Sequence, residues 1–226
     1  MIGNDVISGV IAIIIGYLLG SIPPAYVITR LLKGKDIRKI GGGNVGARNV
    51  FVEVGKAAGI GVGIFDVLKG AGAVALATWL LKVESPEVWS TDISWLFVLG
   101  AGLAVVAGHI WSVYLKFTGG NGLATTLGVL VMLMPQELAL ALAATLVLVV
   151  LTRNIVLSVN LSLLSVPISA WFLGKSWLSI VFPIVLVVVM LLHFFPRIVA
   201  DFTRTGGLGN FVAELTRRDK ATKRGT

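Results

Sequence analysis

Long apolar runs, separated by short polar stretches, set the pattern of this chain. Several of them approach the ~20 residues that a helix needs to cross bilayer hydrocarbon. They predict spans at about residues 6–32, 59–81, 93–115, 123–134, 136–152, 155–173 and 177–195. The first run is interrupted at Gly20-Ser21-Ile22-Pro23-Pro24. Adjacent prolines remove two backbone donors. Inside a membrane such a break persists only where protein or water satisfies the freed carbonyls; it reads equally as a packing kink. Pro135 marks the turn between the fourth and fifth runs, which are short for a bilayer and predict tilt or local thinning. The expected fold class is an all-α integral membrane protein, a seven-span helical bundle. It forms one domain, 1–205, followed by a basic tail, 206–226. The tail reads as a surface helix or a disordered end.

Composition supports this reading: 56% of residues are hydrophobic and 13% charged, with a mean hydropathy of +0.94. A soluble domain carries about 25% charged residues. The net charge of +8 raises the question of nucleic acid, but its distribution answers for a membrane. Lys33, Lys35, Arg38, Lys39, Arg48 and Lys56 lie in the first loop, Lys116 in the third and Arg153 in the fifth. Seven more Lys/Arg run from Arg197 to Arg224. The alternate loops carry only Lys82 and Lys175. Cations favour the cytoplasmic side, so the N-terminus is expected outside and the C-terminus in the cytoplasm. Loops on the cation-rich side are therefore expected to face the cytoplasm. The chain has no cysteine, which excludes disulfides and thiolate metal sites. The N-terminus lacks the charged region and cleavage site of a signal peptide, so the first run is expected to be retained.

Two glycine-rich stretches fall on the predicted cytoplasmic side. The first is Gly41-Gly42-Gly43-Asn44-Val45-Gly46-Ala47-Arg48-Asn49, and the second is Phe117-Thr118-Gly119-Gly120-Asn121-Gly122-Leu123-Ala124-Thr125. Glycine backbone can curl its N–H groups around a phosphate, and a helix beginning near Leu123 adds its positive end. Arg48 offers a guanidinium fork suited to a phosphate dianion. A flexible linker would more often contain Ser and Glu.

His109 lies in the third run, and a polar residue in a span tends to mark a site. A histidine satisfied by a neighbouring carbonyl is the alternative. His193, at the end of the seventh run, reads either as functional or as an interfacial histidine. Asp66 and Lys69 share a face of the second span, and structural pairing is favoured over catalysis. Two histidines without a carboxylate cluster predict no metal, and no cofactor is expected. Tryptophans 79, 89, 95 and 177 sit near span ends, as in an aromatic belt. Neither a P-loop, a dinucleotide fingerprint nor a nucleophile elbow occurs.

These residues together resemble a known family. Gly20-Ser21-Ile22-Pro23 with Tyr26 and Arg30, Asp36-Ile37-Arg38, and Gly43-Asn44-Val45-Gly46-Ala47 with Asn49 look like its first motif. Phe65-Asp66 with Lys69-Gly70 looks like its second helix. Gly108-His109, Phe117, Gly119-Gly120, Gly122, Ala124-Thr125 and Gly128 look like its second motif. The family is the bacterial acyl-phosphate:glycerol-3-phosphate acyltransferase, an integral membrane enzyme of phospholipid synthesis. The likeness is strong over about residues 16–128 and weaker on to His193. It departs at Asn121, where the family has lysine; at Gly42, where Ser is usual; at Arg48, where Thr is usual; and at Val52, where Arg is usual. Pro196 also stands three residues after His193, where the family has Asn.

The resemblance implies transfer of an acyl chain from acyl phosphate to glycerol 3-phosphate, giving lysophosphatidic acid. It implies a catalytic role for His193 and a location in the bacterial cytoplasmic (inner) membrane, with the site facing the cytoplasm; Arg48 and Asn121, at positions that depart from the family, are the further catalytic candidates. Phosphate binding would fall to Arg38, Gly43, Asn44, Gly46, Asn49, Gly119, Gly120, Gly122 and Thr125. Arg48 would replace the charge lost at Asn121 if the two loops face each other. Imidazole titrates near neutral pH, so His193 or His109 would suit proton removal. The expected partners are the two substrates and membrane lipids, with no nucleic acid, and the protein is expected to be a monomer. Two other readings stand beside this one. One is a diverged paralogue with a different acceptor or donor; the other is a non-catalytic lipid-binding or transport protein, although no internal repeat points to a transporter.

Overall fold

A computed structural model of the protein describes residues 2–83, 92–153 and 155–205. The described residues form α-helices and two short 3-10 turns, with no strand among them. The helices are α1 (Ile2–Ser21), α2 (Pro24–Lys33), α3 (Ala47–Glu53), α4 (Lys56–Leu80) and α5 (Ile93–Ile110). They continue as α6 (Leu123–Leu133), α7 (Pro135–Thr152), α8 (Ile155–Ser162), α9 (Ser165–Phe172) and α10 (Trp177–Thr205). Among the described residues, four segments are long and apolar enough to cross a membrane: Asp5–Lys33, Lys56–Leu80, Ile93–Leu115 and Pro135–Thr152. Leu123–Leu133, Leu157–Phe172 and Trp177–His193 are apolar but shorter. The tail 206–226, Trp89 and most of the loop after Lys82 lie outside the described residues.

The helices pack as an integral membrane bundle. Its apolar outer residues, such as Ile7, Leu31, Leu68, Leu146 and Val150, are exposed. α1 lies along α5, and α6 along α4. Both crossings depend on small residues, as expected where helices associate by packing in a lipid environment. A side chain at Gly20 would run into the Val105 carbonyl, and one at Gly70 into the Thr125 carbonyl. The main core joins Ala73, Val98, Val105, Val129, Leu133, Phe182 and Leu186. A smaller core of Ala25, Ile37, Val45, Val50, Val62 and Leu115 sits beneath the first glycine-rich loop and gives it a floor.

Three of the predicted spans show detail beyond a simple run. The first is divided at Pro23, and α2 begins with Pro24 at its first position, where a missing N–H costs nothing. The sixth was expected to be continuous but is divided between α8 and α9. Pro167 has no N–H for the preceding turn, and serine hydroxyls take up nearby carbonyls. Ser165 Oγ donates to Ser162 O at 2.6 Å, and Ser162 Oγ to Val159 O at 2.9 Å. The seventh runs past its expected end at residue 195, as α10 continues to Thr205.

Candidate active site

The break in the first span explains why a lysine is buried in this bundle. Where the helix stops at Ser21, the carbonyls of Ser21 and Ile22 lose the donors a continuous helix would supply. Two neighbours replace them. Ser112 Oγ, just beyond α5, donates to Ser21 O at 2.6 Å. Lys69 Nζ, from the middle of α4, donates to Ile22 O at 3.1 Å.

Lys69 also pairs with Asp66, with Nζ 2.8 Å from Oδ1, so the expected i,i+3 pair is present. His109 near the end of α5 turns Nδ1 to the same carboxylate, at 3.4 Å. The three side chains are 3%, 1% and 6% exposed. Charges so deeply placed are retained only when paired.

The second glycine-rich loop rests on this cluster. Gly120 N–H donates to the His109 carbonyl at 3.0 Å. A Cβ on Gly120 would strike His109 Nε2 and lie 2.6 Å from the Val45 carbonyl oxygen. A Cβ on Gly119 would run into the carbonyls of His109 and Ile110. These two glycines therefore permit close approach to the end of α5. Gly122 caps α6 in the left-handed region (φ 82°), where a side chain is disfavoured.

The two loops meet, as expected. Val45, from the first loop, touches Gly120 through its carbonyl. Arg38 reaches across to the second loop, where Nη1 donates to Leu115 O at 3.4 Å and Thr118 Oγ1 at 3.3 Å. Its Nη2 is held by Asp36 Oδ2 at 2.7 Å, and its guanidinium lies 5.4 Å from the Tyr26 ring centre. Hydrogen bonding to Arg38 holds the Asp36 carboxyl down to about 2. The same contact raises the Arg38 guanidinium further. A small recess of about 10 Å³ lies between the break in the first span and the two loops, lined by Ser21, Pro23, Val45, Lys69, His109, Ser112 and Gly119, among others.

Of the expected site residues, Gly119 lines this recess and the others do not. Asn49 is buried, and its amide is engaged within its own loop. Nδ2 donates to the carbonyls of Ile37, Ile40 and Asn44, and Oδ1 accepts from Gly42 N–H. Gly43 takes a left-handed φ of 68° and donates to Ile40 O. Gly46 caps α3, and Arg48 is exposed on that helix's first turn. Asn44 Oδ1, Asn121 Oδ1 and Thr125 Oγ1 are buried without a hydrogen-bond partner among the described residues. Unsatisfied atoms of this kind call for an explanation, and a bound polar ligand supplies one. His193 is half-buried, edge-on to Trp111 at 6.2 Å between ring centres. Among the described residues no cluster of His and acidic groups suits a metal ion.

Sequence reasoning did not place Ser21, Ser112 and the Val45 carbonyl in the site. The Pro23-Pro24 pair was the available signal, because the carbonyls it frees require donors from elsewhere in the bundle.

Comparison with known proteins bears on the chain as a whole. The profile of the glycerol-3-phosphate acyltransferase family matches residues 10–201. Glycerol-3-phosphate acyltransferase 2 of Dehalococcoides mccartyi is 36% identical over 216 residues, 96% of this chain and 97% of that protein. The glycerol-3-phosphate acyltransferase of Desulforamulus reducens is 40% identical over 178 residues, 79% of this chain and 84% of its own length. The crystal structure of PlsY, an integral membrane glycerol 3-phosphate acyltransferase, in its glycerol 3-phosphate form superposes with a TM-score of 0.74. Identity is 31%, over 88% of this chain and 93% of that one.

Proposed function

The chain belongs to the glycerol-3-phosphate acyltransferase family, and we propose that it draws the acyl group from an acyl phosphate held where its two glycine-rich loops meet, beside the recess. Its activity is the acylation of glycerol 3-phosphate in phospholipid synthesis, and it is a bacterial membrane protein. The observation that carries the site is the meeting of the loops at Val45 and Gly120 above buried Lys69 and His109.

An acyl phosphate is a mixed anhydride and already activated, so no covalent nucleophile is required of the protein. What is required is that two anions be held side by side, with the glycerol hydroxyl close to the acyl carbonyl. In this reading Arg48 supplies the cation that Asn121 lacks. Asn121 and Thr125 turn their unpartnered side chains to a phosphate, Asn121 with its amide flipped to present Nδ2. Asn44, Gly46, Gly119 and Gly122 shape the phosphate subsites, while Gly43, Asn49, Arg38 and Gly120 hold the loops in place. His193 takes the hydroxyl proton. The oxygen then bonds to the acyl carbon, the bond from that carbon to the phosphate oxygen breaks, and the proton leaves with inorganic phosphate. The acyl chain lies in an apolar groove between helices.

The cation asymmetry supports a topology of seven crossings, with the N-terminus outside. The site and C-terminus would then face the cytoplasm from the inner membrane. A monomer contains every residue this reading uses.

The test is purified protein with acyl phosphate and glycerol 3-phosphate, following lysophosphatidic acid. Arg48→Ala is expected to lower kcat/KM by about 100-fold or more, as removal of one charge-stabilising group does. Asn121→Ala is expected to lower it by less than about fivefold. Unchanged activity in Arg48→Ala would sink the compensation. Product from an acyl thioester but none from acyl phosphate would overturn the donor.

A further inference from the structure

Asp66, Lys69 and His109 form a chain of contacts that reaches the broken first span, α4, α5 and both glycine-rich loops. Lys69 Nζ bonds Ile22 O in the broken first span, 47 positions away in sequence. Asp66 joins Lys69 to His109, and so α4 to α5. The His109 carbonyl holds Gly120 N–H, and its ring lies against Gly120. Gly120 in turn touches the Val45 carbonyl of the first loop. The break, both membrane helices and both loops are thus tied in series through three side chains.

We propose that Asp66, Lys69 and His109 are positioning residues for acyl transfer, a buried polar cluster that sets the register of the two glycine-rich loops. The proposal rests on the junction of the two glycine-rich loops being the acyl-transfer site. Stability alone does not account for the cluster. Well-packed apolar groups in place of a buried ion pair are often neutral or stabilising, whereas an ion pair fixes relative position. The loops need that fixing, because reacting groups misplaced by about 1 Å lose about 100-fold in rate. A lysine that only closed a broken helix would need no carboxylate shared with a histidine under the opposite loop.

The experiment compares Lys69→Met with the double variant Asp66→Asn/Lys69→Met. The single variant leaves the Asp66 carboxylate buried without its cation; the double variant removes both charges. A purely structural cluster makes Tm and kcat recover together in the double variant. The proposal expects Tm to recover toward wild type while kcat stays down about 100-fold, with KM for glycerol 3-phosphate changed less than about threefold. Recovery of kcat along with Tm overturns it.

Should neither variant purify, Lys69→Arg and Lys69→Met are compared in membranes, per amount of tagged protein. The arginine, which keeps the cation and its donors, is expected to retain at least about tenfold more kcat, and equal kcat overturns the proposal. Wild type is run in parallel with acyl phosphate and with an acyl thioester. Failure of the donor reading then appears in wild type itself, and the variant ratios are read on whichever donor wild type uses.

Discussion

Gly120→Ala tests whether the second glycine-rich loop works by close approach. The added Cβ would overlap the His109 ring and stand 2.6 Å from the Val45 carbonyl oxygen, where ordinary contact begins at 3.4 Å. The difference, 3.4 − 2.6 = 0.8 Å, must come from movement. Neither neighbour yields easily, because one is backbone and the other a ring whose Nδ1 faces Asp66 at 3.4 Å. Overpacking of this kind costs about 1–3 kcal/mol. The shift also strains the Gly120 N–H bond to His109 O, worth about 1 kcal/mol. A displacement near 1 Å lowers the transfer rate by about 100-fold. Gly42→Ala is the matched control in the other loop. Nothing lies within 4 Å of its Cβ position, and its φ is not left-handed. Its N–H bond to Asn49 is retained, and the lost chain entropy of the unfolded state stabilises by about 0.4–1 kcal/mol. The assay is phosphate release from acyl phosphate with glycerol 3-phosphate, together with Tm in detergent. Gly120→Ala within about threefold of wild type, or Gly42→Ala as damaging as Gly120→Ala, would refute the reasoning.

Two further outcomes follow from the first loop. Asn49→Ala removes three donated bonds and one accepted bond, and is expected to cost about 2–4 kcal/mol. Trypsin should then cut faster at Lys39 and Arg48 in membranes, and an unchanged cleavage rate would count against the brace. The Asp36 carboxyl is depressed from 3.8 to about 2 by Arg38, so its contribution is complete above pH 3.8 and is lost as pH falls through about 2. The stability difference between wild type and Asp36→Asn should therefore be constant above pH 4 and vanish toward pH 2, followed by unfolding in detergent. A difference that does not change over that window would show that the pair adds nothing.

The hydrophobic pattern made most of the scaffold legible. Apolar runs mark the helices because a bilayer leaves few other ways to satisfy the backbone. The two prolines mark a real division of the first span. The division of the sixth was not visible, because Ser162 and Ser165 look like ordinary polar positions until their hydroxyls are seen on backbone carbonyls. Glycine content pointed to the loops but not to what each glycine does. Gly42 has open space where a side chain would go, whereas Gly120 has none, and that difference is set by the His109 ring from another helix.

The contacts of Lys69 mark where local reading ends. Its pairing with Asp66 follows from spacing on one helix, three residues apart. Its bond to Ile22 O does not, since helical spacing carries no information about a carbonyl 47 positions away. The link lies in requirements that can be matched. A proline break creates carbonyls without donors, and a buried lysine is a donor without a solvent. Each is costly alone, and each satisfies the other. Joined with His109 they also bear on the position of the loops, because the His109 carbonyl that holds Gly120 belongs to the residue whose ring is tied to α4 through Asp66. The broken helix and the buried charge are thus two halves of one arrangement, and the recess lies where they meet.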